Sequence, residues 1–102
     1  MREILILPEV LQDIAEAAEW YDGDGYRGLG DRFVATFYSL LTEIQKNGEI
    51  YRKVYLDFRK VLIRPFPYSV FYRLQEETWL VTLVINAARH PSLTRRILQN
   101  RR

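Results

Sequence analysis

The chain has 102 residues, the size of a single domain spanning 1–102, and its 48% hydrophobic and 14% aromatic content suffices for one core. It has no cysteine and a single histidine, His90, which excludes a disulfide framework, a thiolate nucleophile and a cysteine-ligated metal and argues against a protein-only zinc site. The net charge of +2 hides two opposed halves: four basic residues stand against ten acidic ones up to residue 50, and eleven basic against three acidic beyond it. Such a split reads either as an electropositive surface built by the C-terminal half, suited to nucleic acid, phosphate or an acidic protein segment, or as halves that neutralise each other across the fold.

In chain order, Arg2 to Leu7 reads as a short strand rich in Ile and Leu. Its apolar run of four residues is too short for a signal-peptide core or a membrane span, so a cytoplasmic location without membrane association is the expectation. Pro8 suits the first turn of a helix, where its missing N–H is not needed. From Glu9 to Tyr21, Leu11, Ile14, Ala15 and Ala18 recur at helical spacing while Glu9, Asp13, Glu16 and Glu19 occupy the other side, predicting an amphipathic helix with an acidic outer face. Asp22 to Gly30 holds four of the five glycines and contains the turn. A second helix follows, with Phe33, Phe37, Leu40, Leu41 and Ile44 on one face and a stop at Asn47-Gly48.

Beyond Gly48 the texture becomes β-branched and aromatic, which predicts strands at Phe58 to Arg64, Tyr68 to Gln75 and Trp79 to Ala87. Pro65 and Pro67 bracket the first link and Glu76-Glu77 forms a tight second one. Pro91 to Arg102, with Leu93, Ile97 and Leu98 at helical spacing and four arginines, reads as a short basic helix. The expected fold is α+β, with an N-terminal strand, a helical hairpin packed on one face of an antiparallel sheet, and a C-terminal helix. The other face of that sheet is expected to be open and basic.

Three segments then carry a family resemblance. Arg64-Pro-Phe-Pro-Tyr-Ser-Val-Phe-Tyr-Arg73 resembles the FPYxxxYR segment of ParE-like toxins, Leu29-Gly-Asp-Arg-Phe33 is similar to their LGxRF helix signature, and Val84-Ile-Asn-Ala-Ala-Arg-His-Pro91 is similar to their strand end. The resemblance to the ParE/RelE toxin superfamily implies the toxin of a type II toxin–antitoxin module of the plasmid stabilization kind. It implies a cognate antitoxin whose C-terminal segment wraps the toxin, no cofactor, and one of two activities. ParE-like members poison DNA gyrase; RelE-like members cleave ribosome-bound mRNA without a metal.

Aligned with the RelE-like branch, Lys60 matches a catalytic lysine and Arg89 an arginine, but Ser69 stands where an essential arginine is found, and Thr94, Arg95 and Arg96 offer no tyrosine where the last helix should carry one. Asn86 and Ala88 also depart from the ParE-like strand end, where histidine and a first arginine are frequent. These departures favour a binding toxin over a ribonuclease and motivate a third alternative, a non-toxic interaction module. The candidate functional face comprises Lys60, Arg64, Arg73 and Arg89 as phosphate or carboxylate binders, set against the alternative of solvated strand residues. Tyr68, Tyr72, His90, Arg95 and Arg96 are rim candidates, with packing the simpler role for the tyrosines and a structural one for His90. Trp20 and Trp79 read as core or interface anchors, and Arg101 and Arg102 as further basic contacts or a frayed tail.

Overall fold

The computed structural model describes residues 1–23 and 27–102. In chain order these form β1 (Glu3–Ile6), α1 (Pro8–Gly23), α2 (Leu29–Asn47), a 3-10 turn (Gly48–Ile50), β2 (Lys53–Tyr55), β3 (Phe58–Leu62), β4 (Tyr68–Gln75), β5 (Thr78–Asn86) and α3 (Pro91–Arg101). The sheet order is β1-β5-β4-β3-β2. β3 to β5 form the expected antiparallel meander, β2 extends it by a short strand that the sequence reading did not include, and β1 joins it parallel to β5, with Ile4 beside Trp79 and Ile6 beside Val81. The long connection that a parallel neighbour requires is here the α1–α2 hairpin followed by β2, β3 and β4. No helix among the described residues is long and apolar enough to cross a membrane.

Helix α1 starts at Pro8 as its chemistry dictates, but its buried stripe is Val10, Ile14, Ala17 and Tyr21. Leu11 and Ala15, expected on the core face, are exposed. The two stripes lie about 100° apart around the helix, one residue's turn, and only packing chooses between them. Asp24, Gly25 and Tyr26 of the glycine-rich turn lie outside the described residues. On its far side Gly30 lets α2 press against α1: a Cβ there would sit 2.4 Å from the Ala18 carbonyl oxygen, and the Gly30 amide donates to Asp22 Oδ1 at 2.8 Å. Helix α2 buries Phe33, Phe37, Leu41 and Ile44 and stops at Asn47.

One core lies between the hairpin and the sheet. Phe66 and Tyr68 meet Tyr21 and Phe33 with ring centroids 4.9 to 6.0 Å apart, mostly edge to face, an arrangement aromatic quadrupoles favour. Tyr72 stacks edge-on against Trp79 and donates its hydroxyl to the Gly48 carbonyl at 2.6 Å. Burial pushes the Tyr72 phenol well above its ordinary range. Alternation along β4 then sends Ser69 and Phe71 to the opposite face. That face is not open, as the sequence had suggested. Phe58, Phe71, Leu83 and Ile85 form a second apolar cluster, which Leu98 of α3 covers.

The 3-10 turn sits close enough to Trp79 that a Cβ on Gly48 would lie 2.7 Å from its indole ring. Gly48→Ala should therefore lower stability by about 1–3 kcal/mol, as overpacking does, read by chemical denaturation. Because the folded Tyr72 holds its proton more tightly than an unfolded tyrosine, stability is retained below about pH 10 and falls as pH rises beyond it. Tyr72→Phe should flatten that alkaline fall while costing about 1 kcal/mol at neutral pH through the lost hydrogen bond.

Candidate functional site

β1 is four residues long and β5 nine, so the neighbour of β5 runs out at Val81, where the Leu7 amide donates to the Val81 carbonyl at 3.1 Å. Thr82 is an extra residue in the β4–β5 register, since Tyr72 pairs with Val81 and Phe71 with Leu83. Side chains take over the exposed strand edge. The Val84 amide donates to Asp13 Oδ2 at 3.1 Å, and Arg101 Nη1 donates to the Thr82 carbonyl at 3.1 Å. Arg101 also grips Asp13 through two contacts, at 2.7 and 3.0 Å, and this hydrogen-bonded partner raises its pKa. Asp13 is thus not part of the solvated acidic face, and Arg101 is not a frayed tail: together they bolt α3 to α1 and β5.

With α3 fixed, its N-terminal half and the sheet enclose a cleft of about 170 Å³. Phe71, Ile85 and Leu98 form its apolar floor, Ser69 and Thr94 its walls, and Lys60, Arg89 and Arg95 its rim. None of these three cations lies within ion-pair distance of a carboxylate among the described residues. Ser69 is 2% exposed, too deep to replace an arginine reaching for a phosphate. Tyr55, which the sequence reading passed over, also lines the cleft, its hydroxyl accepting from Gln99 Nε2 at 2.5 Å. Its signal was weak because β2 is three residues long and shows no alternation that a pattern could catch.

The other candidates separate from this cleft. Arg73 reaches Asp57 at 3.7 Å and is 13% exposed, so it is an internal ion pair and not part of a free basic face. Arg64 lies in the exposed β3–β4 link beside its cis peptide to Pro65, bordering a groove against α2. Tyr68 and Tyr72 do share a face, but it is the hairpin face, where Tyr72 is fully buried with its hydroxyl inside and not at a rim. Arg96 is exposed and lines none of these clefts. His90 is the N-cap of α3: its Nδ1 accepts from the Ser92 amide at 3.1 Å and lies 2.8 Å from Ser92 Oγ. Trp79 is a core anchor, whereas Trp20 is 62% exposed. Among the described residues no three His, Cys, Asp or Glu side chains converge to hold a metal ion.

As a cavity with an apolar floor and three cations unpaired among the described residues, the cleft can receive an anionic group attached to an apolar one. Compared with known families, residues 4–91 match the model described as ParE toxin of type II toxin-antitoxin system, parDE, so the match covers the hairpin and the sheet and ends at the first residue of α3. A search of curated proteins finds no match. If His90 acts as a cap, His90→Ala should destabilise the chain by about 1 kcal/mol while His90→Asn, a good N-cap, should restore most of it, compared by thermal melting.

Proposed function

The chain belongs to the ParE toxin family of type II toxin–antitoxin systems, and from that membership we propose that it arrests growth by binding a protein target through the cleft rimmed by Lys60, Arg89 and Arg95. DNA gyrase is the target that the ParE-like resemblance suggests. The observation that carries this reading is the make-up of the cleft: cations without a carboxylate partner among the described residues over an apolar floor, with Ser69 buried at the position where, by the resemblance, RelE-like enzymes carry an essential arginine. Cleaving RNA without a metal calls for a group to activate the 2′-hydroxyl and another to protonate the leaving oxygen. His90 is occupied in capping α3, and Tyr72 lies under the opposite face of the sheet. Guanidinium and ammonium groups at a cleft mouth, by contrast, suit carboxylates on a protein surface.

One observation favours the second reading, a ribosome-dependent mRNA endonuclease: Tyr55 brings a phenol into the cleft that holds Lys60. Inducible expression in bacteria, read in parallel for plasmid supercoiling, double-strand breaks and message cleavage, separates the two. DNA damage with intact message is the expected result, and cut message with intact DNA would reverse the ranking. Harmless overproduction of folded protein would leave a binding module without toxicity. The double change Arg89→Ala with Arg95→Ala should weaken target binding by about a hundredfold or more, since each charge-assisted contact is worth about 1.5–3 kcal/mol.

A further inference from the structure

The outer side of α1 carries three side chains that the fold leaves unused. Glu16, Glu19 and Trp20 stand at i, i+3 and i+4 on one helical face, and all three are exposed. The Trp20 ring rests edge-on against Tyr21 with centroids 5.1 Å apart, which holds one side of the indole while 62% of the residue stays open. Neither carboxylate has a cationic partner among the described residues; Glu16 accepts only from the Gln12 side-chain amide, at 3.0 Å. An exposed indole flanked by unpaired carboxylates is an acidic knob with an apolar centre, and a tryptophan that becomes buried is among the strongest anchors an interface can have.

The α3 cleft is its complement. An apolar floor of Phe71, Ile85 and Leu98 lies under Lys60, Arg89 and Arg95, which lack carboxylate partners among the described residues. Within one molecule the knob cannot reach the cleft, because the two lie side by side. A second hollow of about 330 Å³ has Glu16 and Trp20 on its α1 wall and shares Ile85, Asn86 and Arg89 with the cleft, so these three residues form the ridge between knob and cleft. A two-fold axis through such a ridge lays the knob of each molecule over the cleft of the other. That is an isologous contact, in which one self-complementary patch is used twice and the assembly closes at two.

We propose that two copies of this chain pair reciprocally, with Trp20 of each seated on the Phe71, Ile85 and Leu98 floor of the other and Glu16 and Glu19 meeting Lys60, Arg89 and Arg95. The pairing draws the acidic half of one chain onto the basic half of the other. It also covers the cleft assigned to the target, so a paired chain is latent, and dilution or a competing acidic surface releases it. This last consequence rests on the proposed target site; the pairing itself does not.

Sedimentation velocity on the full chain, over a range of concentration and salt, reads the pairing. The expected species is a dimer that grows no further and loosens as salt rises, since exposed charges are screened. Trp79 is 1% exposed, so acrylamide quenching of fluorescence reports Trp20 and should fall as the dimer forms. Glu16→Lys with Glu19→Lys makes both surfaces basic, and Arg89→Glu with Arg95→Glu makes both acidic. Each variant alone should pair about tenfold or more weakly than the parent, because like charges then face each other. A one-to-one mixture of the two should restore the dimer, since every knob meets a cleft of opposite charge, and this rescue also shows that both variants fold. A parent that stays monomeric or grows into longer polymers, a dimer that neither variant weakens, or a loss that mixing does not restore overturns the pairing and leaves the family and target readings intact. Where the parent arrests growth, Trp20→Ala at equal protein level should arrest it more strongly, and an arrest no stronger overturns the guarding of the cleft. If neither chain arrests growth, the toxin reading falls while sedimentation still decides the pairing.

Discussion

The ion pair between Asp13 and Arg101 holds together the parts of this protein that face outward. It exists because β1 is shorter than β5, so the strand edge beyond Val81 offers a backbone donor and acceptor that no strand takes up. A carboxylate from α1 and a guanidinium from α3 take them instead, and they bind each other through two contacts. Such a pair, 14% and 18% exposed, adds little net stability over an apolar substitute, but the loss of one partner strands the other with the strand edge. Its consequence is geometric: the far end of α3 is tied to the first helix and to the central strands, which sets Leu98 on the second cluster and fixes the cleft at the near end.

The motifs that mark the family are mostly instructions for folding. In the LGxRF segment, Gly30 permits the close helix crossing and Phe33 enters the core; in the FPYxxxYR segment, Phe66 and Tyr68 complete the aromatic cluster, Tyr72 ties β4 to the 3-10 turn, and Arg73 pairs with Asp57. Few of these side chains are exposed enough to touch a partner. The surface proposed for the target takes Lys60 and Arg95 from outside the motifs and Arg89 from the strand-end motif, and α3, the outer wall of the cleft, lies past the matched segment. A family signature of this kind speaks for a scaffold more strongly than for what is bound on it.

The charge split resolves unevenly. Asp13 with Arg101 and Arg2 with Glu77 join the two halves, but Lys60, Arg64, Arg89, Arg95 and Arg96 have no carboxylate partner among the described residues. The basic half thus keeps most of its field at the surface, where it steers acidic partners at a range of about 8 Å at physiological ionic strength.

What the sequence determined by itself was what depends on local chemistry: the strand before Pro8, both hairpin helices and the stop at Asn47, the limits of β4, the tight Glu76-Glu77 link and the helix after His90. Periodicity and turn residues act within a few positions and survive any packing. Which of two adjacent stripes on α1 faces inward, whether Asp13 is solvated or paired, that α3 closes the second face, and that Arg73 is internal while Lys60 and Arg64 border a groove against α2 were decided only by tertiary structure. Each depends on which distant element lies opposite, a relation between residues up to 88 positions apart that no local pattern encodes.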